Sequence, residues 1–176
     1  MTSRTFNTTP AGTITKEQTL LSIRRLGVAG GANILKGNVV TVVTSGDDAG
    51  FVKVAISSED VNSDHGVALA NADNSSGTDG DISVPLAVGG HFVTVVVKTD
   101  TINPGDYVKV SSTAGKVGRF VPGTDNNNLR IGRYWGQEGG KVSKSGSSPY
   151  LESFTDKADF PPVNAVDADI IEIELL

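Results

Sequence analysis

Cysteine is absent from this chain of 176 residues, which removes disulfides, thiolate metal sites and a thiol nucleophile at once. Histidine occurs only as His65 and His91, and there is no G-x-S-x-G elbow, H-E-x-x-H pair, Walker loop or G-x-G-x-x-G turn. Asp64-His65 can be paired on paper with any of many serines, but no spacing selects one, so the chain is not expected to be an enzyme or to hold a cofactor. Long apolar runs are missing as well. The stretch "FVTVVV" ends at Lys98 and Asp100, far short of the roughly 20 residues a membrane span requires, and the N-terminal "MTSRTFNTTPAGTITKEQ" lacks the apolar centre of a signal peptide. The expectation is a chain made and used without secretion and without a membrane partner.

Positive charge is scarce and unevenly placed. Residues 1–36 hold Arg4, Lys16, Arg24, Arg25 and Lys36 against Glu17 alone, so with a net charge of −5 the rest of the chain is strongly acidic. An acidic body lacks the clustered cations that phosphate contacts need, which argues against nucleic acid as the main ligand.

What the sequence does contain is strand grammar. In "DISVPLAVGGHFVTVVV" the residues Ile82, Val84, Leu86 and Val88 alternate on one parity, and after Gly89-Gly90 the parity switches to Val93, Val95 and Val97. That switch predicts a two-residue hairpin turn at Gly89 and Gly90, with Val84 opposite Val95, Leu86 opposite Val93 and His91 as a structural or surface residue facing Val88. "KGNVVTVV" and "FVKVAIS" flank the turn-rich "TSGDDAG", and "DYVKV" and "GKVGRFV" flank "SSTAG". "LRIGRYW" and "ADIIEIELL" add further extended runs, the last placing Ile171, Ile173 and Leu175 on one face and Glu172 and Glu174 on the other. The pattern predicts an all-β domain of about eight to ten short antiparallel strands, with no repeat of fixed period.

Two segments stand outside it. Residues 1–26 begin polar, then offer Thr15-x-x-Gln18 as a capping box before "TLLSIRRL", which predicts an N-terminal arm, extended or carrying one short helix, ahead of a β domain over 27–176. Residues 138–165 are rich in Gly, Ser and Pro around Tyr150, Phe154 and Phe160, and are expected to form a long loop excursion. The acidic loop "DNSSGTDGD", residues 73–81, offers Asp73, Asp79 and Asp81 as hard ligands for calcium, yet Thr78 and Val84 stand where an EF-hand needs glycine and glutamate, so a solvated turn is preferred and no metal is assigned. Tyr134-Trp135 can be read as a sugar-stacking platform or as residues packed at a core or interface.

The order of short motifs resembles the capsid decoration (cement) proteins of tailed phages and related viruses. Gly37-Asn38-Val39-Val40, Gly66-Val67-Ala68-Leu69, Gly80-Asp81-Ile82, Gly105-Asp106-Tyr107-Val108, Ala114-Gly115 and Ile131-Gly132 fall in the family's sequence of G-D-x-V strands, a G-V-A-L stretch, an acidic loop, a hairpin and an A-G turn. The likeness spans residues 36–137 and 168–176. "IGRYWGQ" is bulkier than its counterpart in the family, and the arm and the 138–165 excursion are longer than a compact member needs.

The resemblance implies a small β-barrel or β-tulip-like domain, made in the host cytoplasm, that sits on the outer surface of an icosahedral head. There it would bind the major capsid protein, stabilise the expanded shell, and assemble as a homotrimer at local threefold positions. In that setting the arm is expected to make the capsid contact, with Arg4, Lys16, Arg24 and Arg25 meeting carboxylates and Phe6, Leu20, Leu21 and Ile23 as apolar anchors. The alternative is an adhesive or carbohydrate-binding β domain on a virion or cell surface, with Tyr134, Trp135 and the late aromatic loop as contacts.

Overall fold

The computed structural model describes residues 14–16, 23–58, 64–98, 101–135 and 164–176. Thirteen strands run through them: β1 (Ile14–Lys16), β2 (Arg24–Gly27), β3 (Asn33–Ile34), β4 (Val39–Val42), β5 (Val52–Val54), β6 (His65–Ala68) and β7 (Ala72–Asp73), followed by β8 (Ser83–Ala87), β9 (Phe92–Val96), β10 (Tyr107–Val110), β11 (Val117–Arg119), β12 (Arg130–Tyr134) and β13 (Ile170–Leu175). They form a six-stranded sheet in the order β1-β9-β13-β12-β10-β11, a five-stranded sheet in the order β2-β8-β6-β4-β5, and the small pair β3-β7. The protein is all-β, with three antiparallel sheets, none of which closes into a barrel.

Local chemistry accounts for most of these elements. β4 and β5 pair antiparallel across the turn-rich 43–51 stretch, with Val42 opposite Val52, and β10 and β11 pair across "SSTAG", with Val110 opposite Val117. Both are the hairpins expected from the sequence. The alternation of β13 also sorts its faces as expected, because Ile171, Ile173 and Leu175 all lie in the core. This strand is paired on both sides, to β9 and β12.

The Gly89-Gly90 hairpin is corrected. The two glycines do turn, Gly90 with φ +84°, but β8 pairs with β2 and β6 while β9 pairs with β1 and β13. Val84 lies opposite Leu26 and Val95 opposite Ile171, so the predicted Val84–Val95 pair is not made. The chain uses the turn to cross from one sheet to the other. Such a crossing produces the same parity switch as a hairpin, since each strand then points its apolar parity at a different core: Val84 and Leu86 belong to one cluster, Val93, Val95 and Val97 to the other. His91 is fully buried beside this crossing, and its Nδ1–H donates to the Val88 carbonyl at 2.8 Å.

The two larger sheets repeat one plan, an internal duplication where no repeat of fixed period was expected. In chain order β2, β4, β5, β6, β8 and β9, β10, β11, β12, β13, each set of five is arranged as first-fifth-fourth-second-third. In each, an isolated parallel bridge brings the first strand to the third, Val28 with Val52 and Val97 with Val117, and an antiparallel bridge joins the intervening loops, Ile34 with Ala72 and Ile102 with Ala165.

Hydrogen bonds coincide as well. Gly37 N donates to Ala68 O and Ala68 N to Asn38 O, just as Gly105 N donates to Tyr134 O and Tyr134 N to Asp106 O. The side chains of Asn38 and Asp106 each accept from the backbone N–H three residues earlier, those of Leu35 and Asn103. Gly66 and Gly132 occupy equivalent places where a Cβ would come within 2.9 Å and 2.6 Å of a carbonyl on the fifth strand, Ala87 and Glu174. Gly80 N donates to Val28 O and Ala168 N to Val97 O, and both donors have positive φ.

The halves are layered. The inner face of the second sheet, Val93, Val95, Val108, Val117, Ile171 and Ile173, packs on the outer face of the first through Val39, Ala55, Val67 and Ala87. The inner face of the first sheet builds a core of its own, the first core, from Val28, Val40, Val52, Ala68, Val84 and Leu86, roofed partly by Ile34 and Ala72 of the β3-β7 pair. Backbone bonds seam the layers: Val39 N donates to Gly115 O, Gly115 N to Ala55 O, and Ser57 N to Ser111 O.

Candidate interaction surface

Of the eight residues expected to contact a capsid, Arg4, Phe6, Leu20 and Leu21 lie outside the described residues, and Lys16 ends β1 at the edge of the six-stranded sheet. Ile23, Arg24 and Arg25 are exposed, Ile23 at 46%. Of "TLLSIRRL", for which an extended arm or one short helix was expected, the last three residues are extended: Arg24–Gly27 is β2, the first strand of the duplicated plan. The expected boundary between arm and domain at residue 26 therefore falls inside an element of the fold. Tertiary pairing wins over local propensity here, because Leu26 can turn inward onto the first core only from an extended backbone paired to β8. On the outward side, Arg25 Nη1 donates to Ser83 Oγ at 3.2 Å.

Beside β2 lies a groove of about 460 Å³. The edges of the first sheet meet at the Val28–Val52 bridge, and the groove lies beyond it on the side of Arg24, at the start of β2. Leu26, Val42, Leu86 and Val88 supply its apolar surface, and Arg24, Asp64, His65, Asn128 and Arg130 its polar one. Asp64 and His65 thus meet in one concavity. The hydroxyl there is that of Thr41, which donates to the Asp64 carbonyl at 3.4 Å, and no serine is among the lining residues.

Arg130 opens a stacked series of cations and aromatic rings that sequence reading did not find. Its guanidinium lies 4.6 Å from the Tyr107 ring centroid and 5.8 Å from that of Phe120; Arg133 follows at 5.4 Å from Tyr107 and 4.1 Å from Trp135. Strand alternation places Arg133 near Tyr107 across the β10–β12 pairing, where the two are directly opposite. That signal was present in "DYVKV" and "RIGRYW", but it needed the register to be read.

The sugar platform is divided by burial. Tyr134 is 2% exposed and points into the core, its phenol pushed up to about 12 by burial and by the charge of Asp169. Trp135 is 45% exposed and donates Nε1–H to Glu174 Oε2 at 2.8 Å. The two side chains do not share a face.

In the 73–81 loop the carboxylates serve the backbone. Asp79 Oδ1 accepts from Gly30 N at 2.6 Å and Asp73 Oδ1 from Ser75 N at 3.1 Å, while Asp81 Oδ2 accepts from both the N–H and the hydroxyl of Thr78. The backbone and hydroxyl bonds of Thr78 hold the Asp81 carboxyl below the usual range, and the Ser75 hydroxyl together with its N–H does the same for Asp73. The loop is fastened to the first core by Asn74, buried at 2%, whose Nδ2 donates to the carbonyls of Val28, Ala29 and Thr78. Among the described residues no three His, Cys, Asp or Glu side chains group as a metal site. Comparison with known proteins finds no matching family model and no matching curated protein.

Proposed function

We propose that this chain is a virion structural protein, a capsid decoration (cement) protein that binds the outer surface of an icosahedral head and stabilises the expanded shell. The observation that carries the reading is the order of the motifs from Gly37-Asn38 to Ile131-Gly132. The duplicated plan gives that order a structural meaning, since Gly37-Asn38 and Gly105-Asp106 close equivalent turns and Gly66 and Gly132 admit equivalent close approaches. An exposed cationic strand on an acidic body supplies a surface for an acidic partner.

The work is mechanical. A clamp that favours the expanded shell adds its binding free energy to that shell, and many copies on one particle sum modest affinities into a large effect. The partners are the major capsid protein and other copies of the chain, as a homotrimer.

The competing reading is an adhesive or carbohydrate-binding surface centred on exposed Trp135. Binding to isolated expanded heads of the virus that encodes the chain, measured beside binding to a glycan array, separates the two. Saturation of the heads at a fixed copy number with no glycan retained is the expected result. Glycan retention without head binding overturns it.

A further inference from the structure

We infer that the outer edge of β2 receives an added strand from a second copy of this chain, supplied by residues 2–9. The inference rests on the self-association in the proposed function and uses nothing of head binding. Its template lies within the molecule. The bridges at Val28 and Val97 align the two halves, so that Ile23, Arg24 and Arg25 correspond to Phe92, Val93 and Thr94. The ladders to the fifth strands agree, with Arg24 opposite Leu86 and Val93 opposite Ile173. In the second half this edge is covered, because Ile14 and Lys16 of β1 pair antiparallel with Val93 and Phe92. In the first half β2 ends the order of its sheet, with β8 as its neighbour.

The backbone of β2 shows what a strand would find there. Val28 N donates to Ile82 O, so Leu26 and Arg24, two and four residues back, also turn their backbone groups to β8. Arg25 lies opposite Pro85, which has no N–H and whose carbonyl accepts from Leu69 N instead. The N–H and C=O of Ile23 and Arg25 therefore point away from β8, and among the described residues no group bonds to them. Such an edge is a template for strand addition. It borders the groove, which Leu26, Leu86 and Val88 line, so alternate side chains of an added strand would face apolar surface.

The occupant is argued from the same template. The strand on the equivalent edge comes from this chain, from the segment just before β2. Residues 1–13 precede β1 and lie outside the described residues, and an extended run over 2–9 reaches about 26 Å. Its sequence, "TSRTFNTT", is dominated by Thr and Phe, which favour strands, and Phe6 is its large apolar side chain for the groove. A second copy is required because β1 ties the start of each chain to β9 in the other sheet, while Arg25 finds no backbone partner in its own copy. Each copy then gives residues 2–9 and takes a strand at β2, a head-to-tail contact that closes as a ring of three.

Two measurements on the full chain test this. The first is sedimentation velocity from low micromolar to millimolar concentration for wild type, Arg25→Pro and Phe6→Asp. A proline at 25 removes the outward donor and no bond of the chain's own fold, and thermal melts check that the fold is kept. Association weakened by about tenfold or more in both variants is expected, and Phe6→Asp carries the comparison if Arg25→Pro melts early. The second places benzoylphenylalanine at position 6 and mixes ordinary with heavy-isotope copies before irradiation. Links from position 6 to residues 23–27 or Val88 that join the two isotopes are expected. Links within one copy assign the segment to its own chain and overturn the inference. Links between copies at other places, or association unchanged in both variants, overturn it while self-association stands. A chain that stays monomeric at millimolar concentration and forms no links overturns the inference and the homotrimer together.

Discussion

Ala168 holds φ at +67°, the only positive value outside glycine among the described residues, at the turn where the first half uses Gly80 at +78°. An L-residue in this conformation costs about 1–2 kcal/mol, part of which glycine returns through its freer unfolded chain. Ala168→Gly is therefore expected to stabilise by about 0.5–1 kcal/mol. The reverse change, Gly80→Ala, is expected to destabilise by about 1–2 kcal/mol, since its Cβ would also lie 3.0 Å from the Phe51 ring. Urea midpoints moving in opposite directions for the two variants check the equivalence of the turns.

Tyr134 gives a second test at this scale. Its phenol is raised from 10.0 to about 12, so the protonated form is favoured by folding. Stability from this group is full below the unfolded value of 10 and is lost as pH rises towards 12, because the unfolded chain ionises first. The linkage amounts to a loss on the order of 1 kcal/mol by pH 11. Urea melts at pH 9 and pH 11 should show that fall in wild type and a flatter response in Tyr134→Phe.

At the scale of elements, the sequence yielded whatever was encoded locally. The β4-β5 and β10-β11 hairpins are written in short apolar runs around Gly-rich turns, and β13 in an alternation six residues long. The crossing at Gly89-Gly90 was misread because parity reports which way a side chain points and says nothing about which core receives it. β2 was left open between extended and helical because "RRLG" acquires its extended form from pairing with β8, 58 residues away for Arg25 and Ser83. A truncation series follows from this placement. A chain starting at residue 23 keeps all ten strands of the duplicated plan and loses only β1, so it should fold with a lowered midpoint. A chain starting at residue 28 loses β2 and should lose cooperative melting of the first sheet. Circular dichroism melts of the two decide the matter, and equal stability would remove β2 from the fold's requirements.

On the scale of the whole molecule, the duplication escaped sequence reading for a physical reason. Its equivalent positions are held by backbone bonds and a few glycines, while side chains diverged: Gly66-Val67-Ala68 faces one partner layer and Gly132-Arg133-Tyr134 another. Spacing diverged too. Residues 69–71 separate β6 from Ala72, whereas residues 135–164 separate β12 from Ala165, and the excursion expected over 138–165 lies almost wholly outside the described residues. The groove was likewise illegible, since Arg24, His65, Val88 and Arg130 lie far apart in sequence and line one concavity only in the folded chain. Ile23, Arg24 and Arg25, singled out from their charge and apolar pattern as capsid contacts, lie exposed.

The most direct test of the proposed function is electron cryomicroscopy of expanded heads incubated with the purified chain. The expected map has density for this fold on the outer surface, three copies around each local threefold position. Heads left bare at saturating protein would contradict decoration itself, and isolated single copies would contradict the trimer.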